Sequence, residues 1–229
     1  MKTIAKYIPA AALGTLLLIG GTNKASAVTI YSQTFTGGTG ALVSTTSTTG
    51  GGTWAGDNII NRNGLLAGEW GAASLAFTPQ SGLVYELTAN ISSQYWGSWI
   101  GVGFLEANTT YGFLGTQQNT PAALRTETGW QIWPQGVNTS TLTSNNVTIR
   151  LDTTLANWTT SIYQGGTQIG STYTYTTNPT ITRVGFVSDG SGGQVNAFQL
   201  TAVPEPSTYA MVLGGLLNLS LIRRRRVQA

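Results

Sequence analysis

Four tryptophans stand in two close pairs whose spacing could serve carbohydrate recognition. Trp96 and Trp99 are separated by a Gly-Ser pair, and Trp130 and Trp133 by a Gln-Ile pair. An exposed indole can stack on a sugar ring, and neighbouring amides can bond to its hydroxyl groups. Trp is also highly buried on average, so a place in the hydrophobic core is the competing interpretation. The pattern therefore makes all four candidate sugar-binding residues.

The segment that begins at Trp99 alternates strictly between large and small residues. Ile100, Val102 and Phe104 would share one face of a strand, and the other face would carry Trp99 and two glycines. Glycine in a strand allows a ligand or another backbone to approach closely. We therefore expect open space beside the Trp99 indole.

Acidic side chains are few and isolated, which argues against catalysis. A glycosidase normally holds two carboxylates at a fixed separation across the sugar. Seven acids lie between residues 28 and 203, and their spacing brings no two together: Asp57, Glu69, Glu86, Glu106, Glu127, Asp152 and Asp189. The chain has no His and no Cys, which excludes Ser-His-Asp catalysis, thiol chemistry and zinc held by these residues. We expect no enzymatic activity, with glycan hydrolysis as the less favoured alternative.

Oxygen-rich turns offer the remaining candidates for metal binding. Asp57 with the three asparagines Asn58, Asn61 and Asn63, or Asp189 in an Asp-Gly-Ser-Gly-Gly run, could ligate calcium. Asn, Asp and Gly also favour turns for conformational reasons alone. We therefore predict no metal ion and no cofactor.

Charge is distributed so as to exclude a nucleic-acid partner. The formal net charge is +3, but seven of the eleven Lys and Arg residues lie near the two ends. Between residues 28 and 203, four arginines face seven acids, a net charge of −3. No basic patch remains there to neutralise phosphates.

The N-terminus has the three parts of a secretion signal. Lys2 and Lys6 precede an apolar run over residues 7–21, and Ala25 and Ala27 flank Ser26 in a small-x-small cleavage site. We predict cleavage after Ala27, with the secretion translocon and signal peptidase as partners. An N-terminal anchor helix that stays in place is the alternative.

The C-terminus combines a proline motif, a short apolar segment and a basic cluster. Pro204, Glu205 and Pro206 precede the apolar segment 207–222, and Arg223, Arg224, Arg225 and Arg226 follow it. The segment has 16 residues, against about 20 for an ordinary membrane span, but snorkelling arginines can make up part of the difference. Positive charge favours the cytoplasmic side, so the large domain would lie outside.

These three features, in this order, resemble the PEP-CTERM sorting signal. The resemblance implies that an exosortase recognises Pro204, Glu205 and Pro206 and that the arginine cluster acts as the membrane stop. It also implies a Gram-negative-type bacterium that makes exopolysaccharide, and cargo that reaches the cell surface or the extracellular matrix. A simple C-terminal tail anchor is the alternative.

The region between the two ends alternates with period two, as half-buried strands do. Leu83 to Ile91 and Val147 to Leu151 are the clearest cases, and Gly165-Gly166 predicts a hairpin turn. Further candidate strands are Val28–Phe35, Ser74–Phe77, Trp99–Leu105, Gly129–Trp133, Trp158–Tyr163, Ile169–Tyr175, Ile181–Val187 and Ala197–Ala202. Pro121–Thr128 suggests a helical turn, and the Thr-, Ser- and Gly-rich stretch Thr39–Thr53 suggests a flexible loop. All seven Trp and six Phe lie in this region, which is enough for a core.

The order of strands from Asn146 to Leu200 resembles concanavalin A-like lectin and glucanase sandwiches. The resemblance implies two packed antiparallel sheets, often with a carbohydrate site on the concave face. The clustered acidic motif of the related glucanases is missing.

The sequence thus predicts a signal peptide at 1–27, a β-sandwich domain at 28–202 and a sorting signal at 203–229. The fold would be an all-β antiparallel sandwich, concanavalin A-like or jelly-roll, between an N-terminal signal helix and a C-terminal transmembrane helix. We expect an exported surface or matrix protein that is not catalytic and binds carbohydrate such as exopolysaccharide. A purely structural matrix or adhesion protein is the main alternative.

Overall fold

The structure is a computed structural model that describes residues 26–35, 39–62, 65–93, 99–106, 119–189 and 193–204. These ranges contain β-strands, turns and loops, and no helix in them is long and apolar enough to cross a membrane. The strands are β1 (Val28–Thr34), β2 (Thr39–Ala41), β3 (Ala55–Arg62), β4 (Leu65–Ala76), β5 (Leu83–Ser93), β6 (Trp99–Leu105), β7 (Ala122–Arg125), β8 (Trp130–Trp133), β9 (Val137–Thr139), β10 (Asn146–Asp152), β11 (Thr159–Gln164), β12 (Thr167–Thr174), β13 (Arg183–Asp189) and β14 (Gly193–Pro204). The predicted signal and transmembrane helices lie outside the described residues.

The strands form two antiparallel sheets that pack as a sandwich. Sheet I has the order β1-β14-β5-β10-β11-β12, and sheet II has the order β2-β3-β4-β13-β6-β7-β8-β9. Val195 of β14 also pairs with Leu66 of β4, which joins the two sheets at one position. The predicted all-β sandwich is therefore confirmed.

The core lies between the sheets and is built by alternation along each strand. In β10, Val147, Ile149 and Leu151 are buried while the residues between them remain partly accessible. The same period places Leu87 and Ile91 of β5 in the core. Two-residue periodicity thus puts apolar side chains inside and polar ones outside.

Four aromatic rings pack together at the centre of the core. Phe186 of β13 stacks on Trp54 with ring centroids 5.2 Å apart and meets Phe198 of β14 edge-on at 5.0 Å. Phe35 lies 5.8 Å from Phe186. Offset and edge-on contacts are the arrangements that aromatic quadrupoles favour. The cluster connects sheet II to sheet I because Phe186 and Phe198 belong to different sheets.

Two local predictions are wrong. Residues 122–125 of the predicted helical turn form strand β7, because the segment pairs with β6 on one side and β8 on the other. The predicted flexible loop from Thr39 to Thr53 contains β2 and an isolated bridge between Thr46 and Thr53.

Buried anchors explain the order of that Thr-, Ser- and Gly-rich stretch. Leu42 is buried in the core, and Ser47 is buried within the loop. The Ser47 hydroxyl donates to the Thr49 carbonyl and accepts from the Gly52 amide. The Gly165-Gly166 hairpin, by contrast, occurs where it was predicted, with φ values of 55° and 87°.

Candidate functional site

Strand β8 separates the two tryptophans that its sequence brings together. Trp130 and Ile132 are buried, while Gln131 and Trp133 are half-buried on the other side of the strand. Residues three apart in a strand point to opposite faces. The structure therefore places Trp130 in the core and Trp133 on the outer face of sheet II.

The register of β6 to β9 aligns further residues with Trp133. Gln131 pairs with Leu124 of β7 and with Asn138 of β9. Trp99 shares this side of the sheet, because its neighbour Ile100 pairs with Arg125 on the core side. We call this side of β6–β9 the outer face of sheet II.

A polar pocket opens at the margin of this face. Its volume is about 370 Å³, and Trp130 forms part of its wall. The remaining lining residues carry hydroxyl or amide groups: Thr126, Thr128, Gln131, Asn138, Thr139 and Ser140. The lining contains no carboxylate and no cationic side chain. Such a pocket can exchange hydrogen bonds with neutral hydroxyl groups.

The two amide side chains that line the pocket are free to bond to a ligand. The side chains of Gln131 and Asn138 make no hydrogen bond with another described residue, and Asn138 is exposed. Polar side chains on the outer face of sheet I behave differently. There Asn196 donates to Asn90 at 2.7 Å, and Asn90 donates to Asn146 at 2.5 Å. Among the described residues, the two pocket amides thus differ from these asparagines of sheet I in having no hydrogen-bond partner.

Trp99 is half-buried, so less of its indole ring is accessible to a ligand than the sequence predicts. It packs against a small buried cluster on the outer face, formed by Ala72, Leu105 and Val187. Part of the indole is therefore committed to packing within the protein.

The space expected on the Trp99 side of β6 is not open at Gly103. A Cβ at Gly103 would lie 2.8 Å from the Cβ of Ala122 and 2.8 Å from the carbonyl oxygen of Pro121. Opposite Cβ atoms in an ordinary antiparallel pair are about 4.5–5.5 Å apart. Glycine is needed here because β6 and β7 crowd together on this side, so the approaching group is another backbone and not a ligand.

Trp130 does not suit the stacking role that its spacing suggested. Its side chain has no exposed surface, and its ring packs in the core. The guanidinium carbon of Arg125 lies 5.8 Å from the ring centroid. The indole Nε1 of Trp130 has no hydrogen-bond partner. A buried ring has no face left for a sugar, so Trp130 is removed from the stacking candidates.

Arg125 itself was not predicted as a functional residue. It is 3% exposed, and desolvation by burial lowers the pKa of its guanidinium. Nothing in its sequence context distinguishes it from a surface arginine, because the neighbouring threonines and glycine are typical of a turn. Its position on the core side follows from its pairing with Ile100 of β6 and Trp130 of β8.

The carboxylates with described side chains lie on separate elements. Glu86 is on β5 opposite Arg150, Glu106 follows β6, and Glu127 is in the β7–β8 turn. Asp152 ends β10, 3.9 Å from the Arg150 guanidinium. No group of three or more acids within the described residues could hold a metal ion.

Several predicted site residues lie wholly or partly outside the described structure. These are Trp96, Ala25, Glu205, Pro206 and the arginine cluster Arg223–Arg226. Ala27 is exposed and directly precedes β1, and Pro204 is the last residue of β14. Their predicted roles in cleavage and sorting stay predictions.

Solved structures of similar architecture are lectin-like and glucanase-like. The endo-1,3-β-glucanase of Streptomyces sioyaensis aligns over 87% of this chain and 100% of its own, with a TM-score of 0.51 and 14% identity. A putative β-glucanase of Mycobacterium abscessus covers 76% of this chain and 100% of its own (TM-score 0.46, 13% identity). A legume lectin-like domain of Entamoeba histolytica covers 64% of this chain and 88% of its own (TM-score 0.43, 11% identity). No protein-family model and no curated protein sequence matches the chain.

At these identities the likeness concerns the fold alone. The chain is an all-β antiparallel sandwich, the architecture of the lectin-like and glucanase-like structures that it resembles. A shared fold does not carry a shared activity, so function must be argued from the outer face of sheet II itself.

Proposed function

We propose that this chain is an exported protein whose β-sandwich binds carbohydrate without cleaving it. The binding surface is the outer face of sheet II, with Trp133 as the stacking ring and the polar pocket as the hydroxyl-binding part. The observation that carries the proposal is the alignment of Trp133, Gln131 and Asn138 on one face.

The chemistry of that face suits a neutral sugar. A half-buried indole offers an apolar surface, and two amides without partners offer both donors and acceptors. Binding sites for small molecules combine a concave surface with a few such polar groups. The volume of about 370 Å³ lies within the range of about 300–1,000 Å³ that ligand pockets have.

A binding role fits the pocket better than hydrolysis. Cleavage of a glycosidic bond needs an acid and a base or nucleophile beside the sugar. The lining of the pocket contains no carboxylate. Release of reducing sugar from a bound glycan would contradict this part of the proposal.

The test is a glycan array probed with the purified full-length chain, followed by titration with any glycan that binds. Tryptophan fluorescence reports binding because Trp133 lies on the proposed surface. Trp133→Ala should weaken binding by roughly tenfold or more, as loss of a central aromatic contact does. Gln131→Ala should weaken it less, because one amide contact is lost.

Gln199→Ala is the matched control for Gln131→Ala. Gln199 is an exposed amide on the outer face of sheet I, and the proposal predicts unchanged affinity for this variant. Equal losses in the two glutamine variants would refute the assignment of the face. No binding to any glycan, including acidic exopolysaccharide, would leave a purely structural matrix role.

Export and sorting form a separate part of the proposal and rest on the sequence alone. The secretion signal ending at Ala27 and the Pro204-Glu205-Pro206 motif would direct the chain through signal peptidase and an exosortase to the cell surface or extracellular matrix. In a host that has an exosortase, wild-type chain should be released from the membrane, whereas Glu205→Ala should remain bound to it. Glu127→Ala, an exposed acid in a turn, is the control. Equal release of wild type and Glu205→Ala would refute the sorting role.

A further inference from the structure

Arg125 is a buried cation without a counterion in the described structure. It is 3% exposed, and it ends β7 on the core side of sheet II. The ion pair among described residues joins Arg150 to Asp152, far along the chain from Arg125. The Arg125 Nε has no acceptor, and Nη1 donates to the Gly129 carbonyl oxygen only at 3.5 Å.

A second unused donor lies beside it. The Nε1 of Trp130 is buried without a partner, and this ring is the one that the guanidinium approaches to 5.8 Å. Buried polar groups in proteins are nearly always hydrogen-bonded, and buried charges are paired. Two unpartnered buried donors lie on contacting side chains, and one of them is charged. A negatively charged acceptor that reached them would satisfy both.

We propose that Arg125 and Trp130 form a binding site for a carboxylate group, supplied by a uronic acid residue of an acidic glycan. The planar guanidinium fork matches the two oxygens of a carboxylate, which accept charge-assisted hydrogen bonds from Nε and Nη. The Trp130 Nε1 supplies a further donor to the same anion. The uronic acid assignment rests on the proposed carbohydrate-binding function.

The pocket on the outer face lies next to this site. The turn from Thr126 to Gly129 directly follows Arg125, and the Thr126 amide donates to the Gly129 carbonyl oxygen at 3.0 Å. The same turn supplies Thr126 and Thr128 to the pocket, and Trp130 forms part of the pocket wall. Trp130 therefore belongs both to the pocket wall and to the contact with the Arg125 guanidinium.

The electrostatics around Arg125 favour an anionic ligand. Burial lowers the pKa of Arg125, with no opposing contribution from a nearby acid. The turn's own carboxylate, Glu127, is exposed to solvent. An anionic ligand would remove the cost of burying an unpaired charge.

The experiment measures thermal unfolding of the full-length chain with sodium D-glucuronate, sodium acetate, D-glucose or sodium chloride at matched ionic strength. Glucuronate should raise the Tm with a saturable concentration dependence, because a ligand that binds only the folded state stabilises it. Arg125→Met should abolish this rise. Trp130→Phe, which keeps a ring but removes the donor, should weaken glucuronate affinity several-fold.

Arg125→Met also has a prediction in the absence of ligand. Replacing an unpaired buried charge with an apolar side chain of similar length should leave the Tm unchanged or raise it. Arg125→Lys keeps the charge but not the fork, and should bind glucuronate at least about tenfold more weakly. Arg150→Met is the matched control, since Arg150 is 40% exposed and already paired with Asp152; its response to glucuronate should equal that of wild type.

Three results would overturn the inference. A Tm that responds to glucuronate no more than to chloride would exclude a carboxylate site. An equal response to acetate and glucuronate would establish a site for free carboxylate and exclude the uronic acid assignment. A full response in Arg125→Met would place the carboxylate elsewhere. Neutral-glycan binding through Trp133, measured on the same proteins, separates these failures from failure of the proposed function.

Discussion

Replacement of Gly103 by alanine tests whether the outer face of sheet II is closed or open beside β6. The added Cβ would lie 2.8 Å from both the Ala122 Cβ and the Pro121 carbonyl oxygen. One of these neighbours is main chain, so a side-chain rotation cannot relieve the contact. The alternative, suggested by the sequence, is open space in which an alanine methyl would be accommodated.

The size of the effect follows from two opposing terms. Overpacking of a well-packed site costs about 1–3 kcal/mol. Alanine in a strand gains about 0.5–1 kcal/mol over glycine, because glycine loses more backbone entropy on folding. We therefore expect Gly103→Ala to lower the free energy of unfolding by roughly 1–2 kcal/mol. For a domain of 150–250 residues this corresponds to a fall in Tm of about 2–8 °C.

A double-mutant cycle with Ala122 isolates the steric contact. Ala122→Gly removes one of the two opposing groups, so the double variant should be less destabilised than the sum of the single changes by about 1 kcal/mol. The Pro121 carbonyl remains, and rescue should be incomplete. Urea denaturation monitored by tryptophan fluorescence gives these free energies, provided that the m-values stay equal.

A neutral or stabilising Gly103→Ala would refute the crowded geometry. It would mean that the outer face of sheet II is open beside Gly103. Strict additivity in the cycle with Ala122 would mean that the two Cβ positions do not meet.

Two further changes test the core and the pH dependence of stability. Phe186→Leu should destabilise the fold by about 1–3 kcal/mol more than the matched change Phe104→Leu, measured by urea denaturation. The reason is that Phe186 makes three aromatic contacts and Phe104 one among the described rings, at about 0.5–1.5 kcal/mol per pair. Equal losses would contradict a special role of the central cluster. Burial raises the pKa of the Tyr175 hydroxyl above its ordinary value of 10.0, so its contribution to stability is complete below about pH 10 and is lost at higher pH. Thermal unfolding between pH 8 and 11 should show a decline above pH 10 that is smaller in Tyr175→Phe, and equal slopes in the two proteins would contradict the burial of this hydroxyl.

Local patterning accounts for most of what the sequence predicted correctly. Period-two alternation identified β5 and β10, and the paired glycines identified the β11–β12 hairpin. These features depend on neighbours in the chain and are therefore visible in it. The loop from Thr39 to Thr53 was misjudged because its order depends on Leu42 reaching a core formed by distant segments.

The separation of Trp130 from Trp133 was also available from the sequence. Residues 129–133 were predicted as a strand, and positions three apart in a strand point to opposite faces. Ile132 lies on the same face of the strand as Trp130, and Gln131 lies on the same face as Trp133. Because Ile is apolar and Gln is polar, this pattern already favours a buried Trp130. The stacking role predicted for Trp130 is wrong because it rested on proximity to Trp133 along the chain and ignored this parity.

Pairing between distant strands could not be predicted in the same way. Arg125 lies on the core side because it pairs with Ile100, twenty-five positions earlier on β6, and with Trp130 of β8. Gln131 and Asn138 meet because a tight turn returns β9 along β8. Register of this kind is set by the packing of whole sheets and not by the residues that it brings together.

The two outer faces of the sandwich show why polarity alone does not mark a binding surface. Both carry uncharged hydrogen-bonding side chains, as expected of a chain with 8% charged residues. On sheet I these groups satisfy one another: Thr88 bonds to Thr148 at 3.1 Å, and Asn90 bonds to asparagines on both neighbouring strands. A ligand there would have to break bonds within the protein before forming its own, at a net gain near zero. On sheet II, Gln131 and Asn138 have no described partner, so each bond to a ligand replaces a bond to water, and the nearby ring adds apolar contact. A ligand can therefore gain free energy from hydrogen bonds on the outer face of sheet II. On the outer face of sheet I, the polar side chains already bond to one another.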